Sequence, residues 1–397
     1  MRIGILTFHR PANFGANLQA YSTTCYFKAL GHEVKVIDYI RAGDLKYKDL
    51  VNLNQFYAHK YFVENRLPLT RQVMDESGLS EVVAEEKFEL LLIGSDAVWR
   101  SPQDNNIYFA QWLYDSSPLR KIKVASISPA HMGDGYESLS INQRTAIREC
   151  LKRFNFITVR DVWTKHVINR DIFNGEDFIK IVNPDPVFSL YRFIENEIWD
   201  SKGISTKSYY LISLPKQWTM TGKFSKKKRS WFDKFKRNVN NAGYKLIELP
   251  IPEGKSGLPF DYSIDYPIDP LQWFLWIRNA KAFCGLRFHA IVSSISNGTP
   301  FYSVDSYGDN SMYTKMLDML GLHTLARSRD KNSKIYNLLE GSQFSEFRCG
   351  SDIEFESPSR LFKMLENMSS DDIIKFRDSK LRLFDKNMNE MLKIIAR

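Results

Sequence analysis

Long apolar runs are missing from this chain: none approaches the roughly 20 residues that a bilayer-spanning helix needs. Cysteine is scarce as well. Cys25, Cys150, Cys284 and Cys349 stand singly, without disulfide or metal-ligand spacing, and read as reduced thiols. No cluster of His, Cys and carboxylate has metal-ligand spacing, so no tightly bound metal is expected. The loop Phe8-His9-Arg10-Pro11-Ala12-Asn13-Phe14-Gly15-Ala16-Asn17 lacks the G-x-G-x-x-G turn, which argues against a tightly held NAD or FAD and leaves no cofactor expected. Repeats and low-complexity tracts are absent. Met1 runs directly into Arg2-Ile3-Gly4-Ile5-Leu6-Thr7, which reads as a strand rather than a leader, so a cytoplasmic protein is expected.

What remains is the composition of an ordinary globular protein, 43% hydrophobic and 25% charged. Its 397 residues are long for one core and predict two domains. The net charge of +9 is concentrated in one segment. Lys223, Lys226, Lys227, Lys228, Arg229, Lys234, Lys236 and Arg237 stand against the single acid Asp233, interleaved with Phe224, Trp231, Phe232 and Phe235. Cations alternating with aromatics suit a segment resting on an anionic membrane surface. They equally suit a solvated amphipathic helix whose aromatics face the core. No recognised module accompanies the patch, so nucleic acid is not an expected partner.

Strand and helix patterns alternate along the chain. Residues 2–7, 33–37, 88–93, 123–128 and 156–159 read as strands, with helices over 16–30 and 142–153, while 45–78 reads as an irregular insertion. Asn183-Pro184-Asp185-Pro186 marks a rigid exit from a first domain. Strands at 209–214, 245–249, 282–285 and 301–304 follow, with a helix over 270–279 and a polar turn at 306–311 leading into a helix over 312–320. Amphipathic helices over 357–368 and 371–395 are expected to pack back on the first domain. The fold class is therefore α/β with two Rossmann-like domains, 1–200 and 201–350, followed by the helices of 351–397.

Candidate site residues follow from the strand ends. Phe283-Cys284-Gly285 is a short apolar strand, and Phe288, Ile291, Val292 and Ile295 recur at helical spacing until Asn297-Gly298. Arg287 and His289 thus sit at the joint, on the edge where open α/β sheets bind ligands and where a helix N-terminus favours anions. Arg160 ends the strand at 156–159 in the same way. Asn13 and Asn17 offer amides to a polar ligand or cap the first helix. Asp96 follows the strand at 88–93 as a base for a sugar hydroxyl or as a cap, and Trp99, one turn on, offers a face for sugar stacking.

Taken together, Asn13-x-Gly15-Ala16-x-Leu18-Gln19-Ala20, Ile93-Gly94-Ser95-Asp96-Ala97-Val98-Trp99, Val159-Arg160-Asp161, Asp185-Pro186-Val187, Arg287-Phe288-His289 and Gly298-x-Pro300 resemble the polysaccharide pyruvyl transferase family over most of the chain. Two departures stand out: Phe288 where the family usually has Leu, and Ser126-Ile127-Ser128 where it has Ser-Phe-Gly. The resemblance implies a GT-B-like arrangement with the active site in the interdomain cleft. It also implies transfer of the enolpyruvyl unit of phosphoenolpyruvate to two hydroxyls of a sugar, giving a cyclic pyruvate ketal in capsule or exopolysaccharide synthesis. On it, His289 corresponds to the catalytic histidine, and Arg160 and Arg287 to the arginines that hold phosphoenolpyruvate.

The chemistry of these residues agrees with that carry-over. Guanidinium groups match a phosphate and a carboxylate in bidentate fashion. A histidine suits protonation of the enol carbon, with adjacent donor anions favouring the imidazolium against the helix N-terminus. Asp96 would assist hydroxyl deprotonation. A lipid-linked oligosaccharide at the inner face of the plasma membrane suits a cytoplasmic enzyme with this basic aromatic segment, and the resemblance implies galactose as the acceptor sugar. The competing expectations are a GT-B glycosyltransferase using a nucleotide sugar and a non-catalytic glycan-binding protein of the same fold.

Overall fold

The computed structural model describes all residues except 46, 101–106, 116, 134, 220–224, 306–332 and 351–352. Lys223, Phe224, the polar turn and the helix expected over 306–320 lie outside the described residues. The chain divides into two compact units, one of residues 1–47, 59–193 and 379–397, the other of 48–58 and 194–378. The division departs from the expected boundaries in three places, the first being that residues 194–200 fall in the second unit. Residues 48–58 of the insertion join the second unit, and of the terminal helices only 379–397 join the first.

The first unit is built on a parallel sheet in the order β2-β1-β3-β4, made of β1 (Arg2–Leu6), β2 (Glu33–Val36), β3 (Leu90–Ile93) and β4 (Lys123–Ser126). A short parallel pair, β5 (Thr158–Val159) with β6 (Ile181–Val182), continues it through the bridge Ala125↔Phe156. Buried runs such as Leu90-Leu91-Leu92-Ile93 are what a parallel strand covered on both faces requires. Helix α1 (Phe14–Ala29) starts two residues before the expected position because the Asn13 side chain accepts from the Gly15 and Ala16 amides at 2.9 and 3.3 Å. Short helices α2 (Ala42–Leu45) and α3 (Tyr47–Leu50), then α4 (Leu53–Arg66) and α5 (Glu76–Glu85), fill the insertion; α6 (Gln111–Asp115), α7 (Ile141–Lys152) and α8 (Val162–Val167) complete the unit. The C-terminal helix Ser370–Ile395 reaches this unit at Asp385, which accepts from Tyr26 Oη at 3.0 Å and pairs with Arg192 at 3.2 Å.

The second unit holds a six-stranded parallel sheet, β12-β11-β10-β7-β8-β9. Its strands are β7 (Tyr209–Ser213), β8 (Lys245–Glu248), β9 (Tyr262–Ser263), β10 (Ala282–Gly285), β11 (Phe301–Val304) and β12 (Arg348–Cys349). The two-residue strands β6, β9 and β12 are too short for periodicity to reveal. Helix α9 (Ser225–Asn241) carries the basic segment, and its Trp231, Phe232, Phe235 and Val239 are buried in a cluster with Tyr210, Ile212, Leu246 and Cys284 of the sheet. Burying such aromatics is worth roughly 2–3 kcal/mol each. Leu361 and Leu365 of the helix Pro358–Asn367 join the same cluster, so that helix belongs with α9 rather than with the first unit. Helix α10 (Pro270–Asn279) begins on the Asp269 cap with Pro at its first position, and α11 (Phe288–Ser296) follows β10.

Candidate functional site

Parallel pairing brings the C-terminal ends of β1, β3, β4 and β5 to one edge of the first unit. Asp96 bridges Pro129, its carbonyl accepting from Ala130 N at 2.7 Å, while Arg160 N donates to Pro129 O at 2.9 Å. That segment sets Asp96 and Arg160 side by side. Arg160 Nη1 lies 3.2 Å from Asp185 Oδ2 and 3.7 Å from Asp96 Oδ1; the side chains of Arg160 and Asp185 are 2% and 0% exposed. Asp96 takes a positive φ of 66°, and Gly94 before it takes 109° with a Cβ position only 2.5 Å from Ile127 O, so only glycine fits there. In front of Asp96 opens a cavity of about 230 Å3 lined by Phe8, Pro11, Asn13, Ala16, Arg41, Gly43, Asp96 and Arg100. The Arg41 guanidinium lies 3.6 Å over the Phe8 ring and pairs with Asp44.

Beneath this edge runs a buried polar network. His9 Nδ1 lies 3.0 Å from Thr7 O and its Nε2 3.0 Å from Asp38 Oδ1, and Arg10 Nε donates to Asp38 Oδ1 at 2.7 Å. Burial pushes the Asp38 carboxyl up, but the His9 and Arg10 hydrogen bonds outweigh it and hold it down to about 2. Asn17 donates to His9 O at 2.7 Å and accepts from His59 Nδ1. Burial alone lowers His59 to about 3, so its ring is neutral.

Two expected acceptor contacts are corrected by this packing. Trp99 is fully buried: Nε1 donates to Tyr108 O at 3.0 Å, the ring stacks on Phe109 at 5.6 Å, and no face is left for a sugar. The apolar run Ala97-Val98-Trp99 turns into the core instead. Asn17 is fully buried, with both ends of its amide used by His9 and His59. Asn13 caps α1 and also lines the cavity. The cavity residues Arg41 and Arg100 were missed; Arg100 next to Trp99 was the available signal, whereas Arg41 lies in an irregular stretch with none.

In the second unit the joint after β10 carries Arg287 and His289. Gly285 has φ 154°, and a Cβ there would stand 2.3 Å from Ser213 O, so β10 and β7 meet at a contact only glycine allows. Leu286 N then donates to Ser213 O at 3.1 Å. Arg287 takes φ 86°, a conformation costing a non-glycine residue roughly 1–3 kcal/mol. Arg287, Phe288 and His289 are all half-exposed at the first turn of α11, with the His289 ring edge-on to Phe288 at 5.2 Å. Arg287 Nη2 pairs with Glu253 Oε1 on the loop after β8. Glu253 was also missed, because nothing local marks a glutamate 34 residues from its partner.

Of the two readings of the basic segment, the structure takes the amphipathic helix whose aromatics face the core; Lys226, Arg229, Lys234 and Arg237 remain exposed. Among the described residues no group of His, Cys, Asp and Glu is arranged to hold a metal ion, and no helix is long and apolar enough to cross a membrane.

Two Rossmann-like units, each built on a parallel sheet, define a GT-B-like fold. UDP-GlcNAc 2-epimerase from Methanocaldococcus jannaschii shares the fold at a TM-score of 0.52 and 11% identity, over 93% of this chain and 92% of that one. The Neisseria meningitidis UDP-GlcNAc 2-epimerase does so at 0.51 and 11%, over 97% and 100%. At such identity the likeness is one of fold. A search of curated proteins found no match. Residues 13–307 match the polysaccharide pyruvyl transferase family, and the chain belongs to it. It is therefore a transferase enzyme of polysaccharide pyruvylation.

Proposed function

We propose that this enzyme moves the enolpyruvyl unit of phosphoenolpyruvate onto two hydroxyls of one sugar, with Arg287 holding the donor and His289 protonating it. The observation that carries this reading is the placement of both side chains, half-exposed, on the first turn of α11, where backbone N–H groups also favour an anion. His289 gives a proton to C3 of the enol, C2 becomes oxocarbenium-like, and the first sugar hydroxyl attacks it. Phosphate leaves, and the second hydroxyl attacks the same carbon to close the ketal, its proton passing to the departing phosphate. Asp96, in the wall of the first unit's cavity, takes a hydroxyl proton, and Asn13 offers its amide to the sugar. Arg160, enclosed between Asp185 and Asp96, orients Asp96. These steps need no metal or organic cofactor.

Melting temperature tests the reading, because a ligand that binds only the folded state raises it. Phosphoenolpyruvate is expected to stabilise the native chain and to lose that effect in Arg287→Ala. Stabilisation by a nucleotide sugar alone would overturn the reading in favour of a glycosyltransferase.

We further propose a lipid-linked acceptor, with galactose as the sugar, met at the cytoplasmic face of a membrane. The exposed cations of α9 support it by charge alone, at about 1 kcal/mol per residue near an anionic surface. Lys226→Glu with Arg229→Glu should reduce co-sedimentation with vesicles containing phosphatidylglycerol. Unchanged co-sedimentation would remove the membrane from the proposal.

A further inference from the structure

We infer that Glu253 is an exchangeable counter-ion for Arg287, a positioning residue that occupies the guanidinium until the donor's anionic groups take its place; this rests on the donor reading given above. The pair joins one nitrogen to one oxygen, Nη2 to Oε1. Glu253 Oε2 is buried and has no hydrogen-bond partner among the described residues. Among those residues Glu253 is also the one group bonded to the Arg287 guanidinium. Such a contact leaves most of the guanidinium's five donors unused, whereas a phosphate or carboxylate can engage two at once.

Exposure makes the exchange cheap. The two side chains are 36% and 38% exposed, so solvent replaces what the pair loses. The backbones, in contrast, are fixed. Arg287 follows the Gly285–Ser213 contact that admits no Cβ. On the other side, Gly254 N donates to Ile251 O at 3.0 Å, and Pro252 O accepts from Asn52 N at 3.0 Å, which ties the Glu253 loop at both flanks. The carboxylate therefore stays close when the donor arrives, opposes its negative charge, and returns to Arg287 once phosphate leaves. Donor affinity is lowered by its presence, and product release is eased.

Titration calorimetry with phosphoenolpyruvate, and separately with inorganic phosphate, on the native chain, Glu253→Gln and Arg287→Ala tests this. Glu253→Gln is expected to bind phosphoenolpyruvate about three- to tenfold more tightly than the native chain, from loss of one nearby like charge. Arg287→Ala is expected to bind neither anion. A role confined to folding would weaken binding, so unchanged or weaker binding by Glu253→Gln overturns the inference. Tighter phosphate binding by Glu253→Gln, lost in Arg287→Ala, with no binding of phosphoenolpyruvate, would uphold the exchange and sink the donor reading. No binding of either anion to the native chain or to Glu253→Gln would overturn the exchange itself.

Discussion

The two strand-to-helix joints that carry the candidate residues are built on opposite plans. In the first unit the Arg160 side chain is 2% exposed, set between Asp185 and Asp96, above a buried chain of His59, Asn17, His9, Asp38 and Arg10. In the second, Arg287 and His289 stand half-exposed on a helix whose other residues are apolar or small, and the Arg287–Glu253 ion pair is open to solvent. A buried charge must keep its partners, because losing one strands the other in a low dielectric. A surface pair loses little by exchanging. The first joint is thus a fixed frame and the second a place where partners change.

Removing Arg160 gives the largest expected effect. Arg160→Ala leaves the buried Asp185 carboxylate uncompensated, at a cost of roughly 3–5 kcal/mol. A urea titration should show a large fall in midpoint; a fall no greater than that of Arg287→Ala would break the comparison.

Acid should come next, acting on the first unit. His59 ionises near 6.5 when unfolded and at about 3 when folded, because burial disfavours its charge. The unfolded chain therefore binds the extra proton between those values. This contribution is fully present above pH 6.5 and is lost as pH falls, by up to about 1.4 kcal/mol per pH unit. His59→Asn, whose amide can keep the bond to Asn17, should flatten the decline in melting temperature above the carboxylate range. An undiminished slope in that variant would assign it elsewhere.

The smallest effect on stability belongs to Arg287→Ala, within about 1 kcal/mol of the native chain, since its pair is exposed. Loss of donor binding with that small penalty would sharpen the contrast, whereas a penalty matching Arg160→Ala would erase it.

Much of this arrangement was legible beforehand. Helix α10 was read at its full extent, 270–279, because Asp269-Pro270 starts it and Asn279 ends its apolar run. Strands β10 and β11 were read at theirs for the same kind of reason, short apolar runs closed by turn residues. The residues misread were those whose chemistry suits two places. Trp99 and Asn17 are equally at home facing a sugar or closing a core, and nothing local separates the two. The α9 aromatics had the same ambiguity, and the apolar face of their own sheet took them.

The sequence by itself determined the alternation of strand and helix, and with it the edges where Arg160, Arg287 and His289 stand, because a parallel strand followed by a helix admits few other placements. The tertiary structure alone decided that Arg160 is enclosed by Asp185 and Asp96, that Asn17 bridges two histidines, and that Glu253 meets Arg287 across 34 residues. Burial and ion pairing depend on which strand ends become neighbours in the sheet, and no local pattern carries that order.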